Sequence, residues 1–134
     1  MTVIDTSGFV DLLIDGPAAP AVAELLRRER EVAAPDVLVF EALAAIRRGA
    51  LRQTLPQARA AGAVEDMAAF PVRLFPSMPL RRRAWELRSN LTPGDALFVA
   101  LAECLGEPLA TKDGSLCAAV ATRDDLDVVA IPLA

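Results

Sequence analysis

The sequence predicts an α/β fold, a single domain over residues 1–134 with helices on both faces of a parallel sheet of about five short strands. Short apolar segments alternate with longer segments of helical spacing, the order that is typical of parallel sheets. No repeat, low-complexity tract or linker divides the chain. With 134 residues, 54% of them hydrophobic, the chain is long enough to bury one sizeable core. The prediction is therefore a three-layer α/β/α sandwich.

The first half of the chain is predicted to alternate one strand with two helices, twice. Asp15-Gly16-Pro17 and Gly49 are helix-ending signals, and Pro35 is expected to stop the second strand. We predict strands at about residues 2–5 and 31–34, and helices at about 6–14, 18–30, 36–48 and 55–69.

The second half is predicted to contain three strands and three helices. An arginine-rich amphipathic helix carries the only tryptophan, Trp85, and the most apolar helix is closed by Gly106. We predict strands at about residues 70–75, 109–111 and 127–131, and helices at about 80–91, 95–105 and 116–121. In sheets of this kind ligands bind beyond the carboxyl ends of the strands, where the strand order reverses.

The composition excludes several kinds of catalytic site. The chain has no histidine, which removes Ser-His-Asp triads, histidine acid–base chemistry and most zinc sites. Its two cysteines, Cys104 and Cys117, are too few for a zinc cluster or disulfide framework, and both are expected to be small core residues. If the protein is an enzyme, carboxylates and a bound metal must carry its chemistry.

No apolar stretch approaches the roughly 18 residues that a membrane-spanning helix needs. A basic segment followed by an apolar one, as in a secretory signal, is also absent from the start of the sequence. We therefore expect a soluble, cytoplasmic protein.

The net charge of −4 becomes balanced when four particular acids are set aside, since 18 acidic residues minus these 4 equals the 14 basic ones. Thirteen of the basic residues are arginine, and many of them cluster at residues 27–30, 47–52 and 81–88. Arginine forms forked hydrogen bonds to phosphate and stacks on bases, so the clusters are compatible with RNA binding. Solvated helix faces, or contacts to an acidic partner, explain the same clusters.

The four acids are Asp5, Glu41, Asp95 and Asp113. Asp5 ends the first strand, Asp95 opens the most apolar helix, and Asp113 follows the fourth strand. Glu41 interrupts an apolar helical segment and can lean over the same edge of the sheet. Four carboxylates that converge there would repel one another without a cation, and oxygen ligands are those that Mg²⁺ prefers.

Each acid also has a structural explanation. Capping of the first helix explains Asp5 equally well, and capping of a later helix explains Asp113. Thr92 and Asp95 are spaced as a capping box. Glu41 could form an ion pair with an arginine.

As a set, these motifs resemble those of the PIN-domain nucleases, and specifically the VapC-type toxins of bacterial toxin–antitoxin pairs. The resemblance covers nearly the whole chain. Shortly after the last aspartate, where some members carry a further acidic or amide group, this chain has Gly114, Ser115 and Cys117. The matching segments are Val3-Ile4-Asp5-Thr6-Ser7, Glu41, Thr92-Pro93-Gly94-Asp95-Ala96-Leu97 with Ala100, and Leu109-Ala110-Thr111-Lys112-Asp113.

The resemblance implies metal-dependent endonucleolytic hydrolysis of RNA. Mg²⁺ or Mn²⁺ would be held by Asp5 and Asp95, with Glu41 and Asp113 as direct or water-mediated ligands. Either Asp113 or Glu41 would orient the attacking water. All four acids are thus the expected catalytic and metal-binding residues.

Thr6, Ser7 and Thr111 could hydrogen-bond these carboxylates and orient them, although helix capping explains them equally well. The resemblance also implies a cognate VapB-type antitoxin that blocks the site, and commonly a homodimer. An apolar surplus in the first four helices, including Val22 and Leu51, is compatible with such contacts.

Two other functions are alternatives to a nuclease. Asp5-Thr6-Ser7 resembles the nucleophile position of haloacid-dehalogenase-like phosphatases, but that motif requires a second aspartate where this chain has Ser7. The stronger alternative is a non-catalytic PIN scaffold that acts as a binding or assembly module. The presence of all four acids argues against this loss of the site.

Overall fold

The sheet of the computed structural model, which describes residues 1–133, has five parallel strands in the order β3-β2-β1-β4-β5. Strand β1 therefore lies between β2 and β4, and the strand order reverses there. The register places Val3 opposite Leu109 and Ile4 opposite Ala110. The strands are β1 Val3–Ile4, β2 Val32–Pro35, β3 Val72–Phe75, β4 Leu109–Thr111 and β5 Ala130–Pro132.

Among residues 1–133, seven α-helices flank this sheet. The first four, which connect β1 to β2 and β2 to β3, pack against one another in one layer. Right-handed connections place the helices that follow β3 and β4 on the opposite face. The helices are α1 Thr6–Ile14, α2 Ala19–Glu29, α3 Val37–Leu51, α4 Gln57–Asp66, α5 Arg81–Glu86, α6 Pro93–Leu105 and α7 Gly114–Ala121. The predicted three-layer α/β/α architecture is confirmed.

The core is formed where β1, β4 and α6 meet. Val3, Ile4 and Leu109 are fully buried, and Phe98 and Val99 of α6 pack into the same cluster. Burying apolar side chains of this size contributes roughly 1.5–3 kcal/mol each. Asp5 follows β1, Asp113 follows β4 and Asp95 lies in α6, so this core supports three of the four acids.

Gly49 and Pro35 do not end the helix and the strand as predicted. Helix α3 continues through Gly49 to Leu51, because an interior glycine costs only about 1 kcal/mol relative to alanine and does not stop a well-packed helix. Pro35 is the last residue of β2 and not its terminator. Its missing N–H is tolerated there because β1 pairs with β2 only at Ala33, well before this end.

The helix predicted at residues 80–91 is much shorter. A 3₁₀ turn at Met78–Leu80 leads into α5, which ends at Glu86. Leu87 and Leu91 are nevertheless buried, so the apolar pattern marked core residues on an irregular segment. The last strand starts at Ala130, later than predicted, and β3 and α4 are shorter than predicted.

The cysteines differ from the prediction that both belong to the core. Cys104 is exposed and Cys117 is half-buried, and neither forms a disulfide. Within residues 1–133 no helix is both long enough and apolar enough to cross a membrane.

Candidate active site

The four predicted acids line one cavity of about 480 Å³ at the carboxyl ends of β1 and β4. Asp5 follows β1 directly, Asp113 follows β4, and Asp95 lies in the first turn of α6. Glu41 reaches the cavity from α3, one turn after that helix begins. The cavity thus occupies the point at which the strand order reverses, where an α/β sheet binds its ligands.

Asp5 is both a helix cap and a wall of this cavity. Its Oδ1 accepts hydrogen bonds from the Gly8 N–H at 3.2 Å and from Ser7 Oγ at 2.7 Å. Its Oδ2 accepts a short hydrogen bond from Thr111 Oγ1. Burial raises the pKa of Asp5, and these hydrogen bonds oppose that rise. The side chain is 6% exposed, so it is held rigidly at the cavity edge.

Asp113 is also a cap, on α7. Its Oδ1 accepts from the N–H groups of Ser115 at 2.9 Å and Leu116 at 3.3 Å. The Asp113 N–H donates in turn to Thr111 Oγ1 at 3.0 Å. Because the same hydroxyl donates to Asp5, Thr111 links the two aspartates across the ends of β1 and β4.

Asp95 does not cap its own helix. Thr92 is the N-cap of α6, and its Oγ1 accepts from the Asp95 N–H at 3.2 Å. Burial raises the pKa of the Asp95 carboxyl, and the negative charges of Asp113, Glu41 and Asp5 raise it further. Asp95 is therefore the acid at which the charges of the other three act together.

Glu41 is positioned by two contacts from other elements. Its Oε1 accepts a hydrogen bond from Thr6 Oγ1 at 2.6 Å. Its other oxygen lies against Gly94, where an added Cβ would collide with Oε2. No arginine pairs with Glu41 within residues 1–133, so the ion-pair explanation is wrong. Gly94 was quoted in the sequence motif, but only the structure shows its steric role.

Thr6, Ser7 and Thr111 each contact a cavity carboxylate, while the direct caps of the neighbouring helices are Asp5, Thr92 and Asp113. Thr111 is fully buried. These three hydroxyls therefore orient the acids and do not cap helices.

Asp11 and Lys112 form a second, paired set of charges on the cavity wall. Asp11 is buried and accepts hydrogen bonds from the Ala18 N–H and from Lys112 Nζ, both at 2.8 Å. The Lys112 N–H also donates to Ser7 Oγ at 3.2 Å. These contacts fasten the segment that carries Asp113 to α1.

The donor set fits a hard divalent cation. Four carboxylates offer oxygen ligands only, and the repulsion that raises the pKa of Asp95 is what a bound cation would offset. In the present arrangement no three acidic or cysteine side chains among residues 1–133 stand close enough to form a metal cage. The four acids nevertheless line one cavity.

Two arginines of the cluster at residues 81–88, Arg83 and Arg88, contact other side chains of the protein. Arg83 bonds Glu103 at 2.7 Å and also pairs with Glu86 and Asp125, which raises the pKa of its guanidinium. Arg88 lies over the ring of Trp85 at 4.4 Å. Glu103 is half-buried in this network. Arg83 and Arg88 thus make contacts within the protein, which none of the explanations offered for the clusters had included.

An apolar groove of about 340 Å³ lies on the other side of α3. Of the two residues expected to contribute apolar surface for a partner, Val22 is instead buried in the core, whereas Leu51 is exposed. The groove is lined by Phe9, Leu38, Val39, Leu43, Val64, Met67, Ala68, Val72 and Leu74.

Comparison with known proteins agrees with this fold. The PIN domain family model matches residues 2–124. Ribonuclease VapC12 of Mycobacterium tuberculosis (strain H37Rv) is 39% identical over 130 residues, which cover 97% of this chain and 100% of that protein. Ribonuclease VapC1 of the same strain is 36% identical over 118 residues, which cover 87% and 89%.

Two solved structures share the fold. The M. tuberculosis toxin VapC20, described as cleaving the Sarcin-Ricin loop, has a TM-score of 0.66 and 21% identity and covers 89% of this chain and 95% of its own. A chain from the Rickettsia felis VapBC2 structure, solved with a promoter DNA fragment, has a TM-score of 0.69 and 11% identity and covers 99% and 98%. The match over nearly its full length to PIN-domain ribonucleases shows that this chain belongs to the PIN-domain family, in its VapC ribonuclease group.

Proposed function

We propose that this protein is a metal-dependent endoribonuclease that hydrolyses phosphodiester bonds of RNA and acts as the toxin of a toxin–antitoxin pair. The observation that carries the proposal is the single cavity lined by Asp5, Glu41, Asp95 and Asp113, in which burial and the other three charges raise the pKa of Asp95. Its relatives at 36–39% identity are named ribonucleases. The absence of histidine leaves carboxylates as the chemical resource of the site.

Asp5 and Asp95 are the residues proposed to hold Mg²⁺ or Mn²⁺, with Glu41 and Asp113 as direct or water-mediated ligands. When bound, such an ion compensates the negative charge of the scissile phosphate and lowers the pKa of water. Side chains of the protein would hold the metal ligands in place. Thr111 and Ser7 hold Asp5 by hydrogen bonds, so this ligand needs little reorganisation.

Glu41 and Asp113 are the candidates to orient the attacking water and accept its proton. Glu41 is hydrogen-bonded through Oε1 to Thr6, and Asp113 through Oδ1 to the backbone of α7. Each therefore has one oxygen anchored, a geometry suited to presenting the other oxygen to a water in a fixed direction.

A cognate VapB-type antitoxin is the proposed regulatory partner, and a homodimer the proposed assembly. The apolar groove beside α3 supports a protein partner, because Val39, Leu43 and Leu74 are exposed along it. The structural neighbour from Rickettsia felis is a VapBC2 complex. Binding on this side of α3 would bring a partner to the helix that carries Glu41.

Cleavage of total cellular RNA by the purified protein tests the function. Reactions contain Mg²⁺, Mn²⁺ or a chelator, and compare the wild type with Asp95→Asn. The matched control is Asp124→Asn, since Asp124 is exposed and lies outside the cavity. We expect discrete fragments that require metal, vanish in Asp95→Asn and persist in Asp124→Asn.

The opposite result has an equally definite meaning. If folded, antitoxin-free protein leaves RNA intact with either metal, the nuclease proposal fails. The protein would then be a non-catalytic PIN scaffold that acts as a binding or assembly module.

A further inference from the structure

The face of α3 beside the acids also carries an aromatic and a basic side chain. Phe40, Ala44, Ala45 and Arg48 line the same cavity as Glu41. Their spacing places them on one side of the helix, because residues three to four apart share a face. The two alanines are small, so the helix surface between the Phe40 ring and the Arg48 guanidinium is open. An aromatic ring and a cation thus frame an uncluttered strip along the cavity wall.

Phe40 is unusual among the aromatic side chains. Its ring is 72% exposed, whereas Phe9 and Phe98 are buried and Phe70 and Phe75 are half-buried. The other strongly exposed aromatic residue is Trp85, which is covered by Arg88. Within residues 1–133 no guanidinium covers Phe40 in this way. A bare ring next to a catalytic carboxylate is a platform on which a planar ligand can stack.

Arg48 supplies positive charge on the same wall. It lies eight residues after Phe40, a distance of about 12 Å along a helix. It forms no ion pair with an acid of residues 1–133. The other cation of the cavity, Lys112, is already paired with Asp11 at 2.8 Å. A cavity with four carboxylates repels a polyanion, so an unpaired arginine at its edge is the feature that favours phosphate.

We propose that Phe40 and Arg48 form a nucleotide-binding strip that positions RNA beside the acids. The base of a nucleotide that flanks the scissile phosphate stacks on the Phe40 ring, and Arg48 binds a neighbouring phosphate. This proposal rests on the proposed endoribonuclease function and specifies the substrate. A base must leave its own stack to lie on Phe40, so the cleaved segment is single-stranded.

The kinetic test uses a single-stranded RNA that contains a cleavage site mapped in the total-RNA reaction. Removing a base–aromatic stack weakens binding by roughly five- to a hundredfold. We expect Phe40→Ala to raise KM about tenfold and to change kcat less than about twofold. Phe40→Trp is expected to restore KM. Trp85→Ala, which removes an exposed aromatic outside the cavity, is the matched control and should leave both constants unchanged.

Abasic nucleotides then identify the stacked base. Each base flanking the cleavage site is removed in turn, and KM is measured for the wild type and Phe40→Ala. At the position that stacks on Phe40 the variant should have no further effect, because the partner is already absent. Arg48→Gln should weaken binding and reduce the slope of log affinity against log salt by about one. If the penalty of Phe40→Ala is the same on every abasic RNA, the stacking proposal is wrong.

A binding assay separates this proposal from the proposed function. Asp95→Asn protein, with and without Phe40→Ala, is titrated against a fluorescent single-stranded RNA of mixed sequence, and the dissociation constants are compared. A tenfold loss on adding Phe40→Ala supports the strip even if the wild type cleaves nothing. Equal dissociation constants overturn the strip even if the wild type is an active nuclease. If Phe40→Ala leaves RNA binding unchanged but weakens neutralisation by the antitoxin, the ring belongs to a protein interface.

Discussion

The two sides of helix α3 differ in chemical character: one side faces an acidic cavity, and the other faces an apolar groove. On one side Glu41 and three aspartates surround a cavity with uncompensated negative charge. On the other, Val39 and Leu43 line a groove with unburied apolar surface. Consecutive residues of a helix point about 100° apart, so the segment 39–41 serves both sides and the ridge between them. One helix thus contributes to an acidic cavity on one side and to an apolar groove on the other.

The difference separates catalysis from regulation in chemical terms. Charge in the acid cavity is relieved by a cation, an interaction that depends on pH and salt. Burial of the apolar surface in the groove contributes about 25 cal/mol of free energy per Å². This contribution depends little on pH or salt. Substitutions confined to one side are therefore expected to change one property and spare the other.

The largest expected effect is on the acid side. Asp95→Asn should lower kcat at least about 100-fold, because it removes a proposed metal ligand. The same change should raise Tm in chelator by a few degrees, because it also removes a half-buried charge that three acids repel. Measurements of activity and of thermal melting, with Asp124→Asn as the control, check the expected fall in kcat and the expected rise in Tm. A variant that loses activity and also melts earlier would show a folding defect instead of a lost ligand.

The next effect is on the groove side. Leu43→Asp places a charge in the apolar groove, where it should weaken binding of the antitoxin about 30-fold by burying an unpaired carboxylate. RNA cleavage by the free toxin should be unchanged. Titration of cleavage with antitoxin measures the effect. Leu51→Asp is the matched control, since Leu51 is exposed on the same helix outside the groove; equal loss in both variants would remove the groove from the interface.

Gly94→Ala tests the contact between α6 and α3. The added Cβ would collide with Glu41 Oε2, so the carboxylate must shift and kcat should fall about tenfold. Gly62→Ala on α4 is the control, because its Cβ would enter open space. That control should keep full activity and gain about 0.5–1 kcal/mol in stability from improved helix propensity. Full activity of Gly94→Ala would mean that the position of Glu41 is not critical.

The smallest expected effect is a pH dependence of stability. Burial raises the pKa of Asp5, and burial with neighbouring charges raises that of Asp95. The folded state therefore holds protons that the unfolded state has already released above its own pKa of about 4. The contribution of these groups to stability falls as pH rises from there through their folded-state pKa values. Melting curves in chelator should show this decline, and Asp95→Asn should flatten it.

Metal removal provides the complementary measurement at pH 7. A cation that binds only the folded state adds about 2.7 kcal/mol at 100 times its dissociation constant. Mn²⁺ should therefore raise the Tm of the wild type, and the gain should shrink in Asp95→Asn. An equal gain in both proteins would place the bound ion elsewhere on the molecule.

Much of this architecture was predictable because the decisive signals are local. The bounds of α1 and β4 match their predictions, and the reversal of strand order explains why Asp5, Asp95 and Asp113 converge. Capping and cavity formation proved compatible, since Asp5 and Asp113 do both. The question of which explanation applied to each acid had no single answer, because one oxygen can bond a helix N-terminus while the side chain still faces the cavity.

By itself, the sequence determined the fold class, the element order and the edge of the sheet at which the acids meet, because periodicity and strand ends follow from the backbone. Only the tertiary structure decided the contacts between distant residues: Thr6 with Glu41, Glu41 with Gly94, and Asp11 with Lys112, which are 101 positions apart. It also decided which apolar residues stay exposed on the two sides of α3. These outcomes depend on how the helices pack over the sheet, which no local pattern encodes.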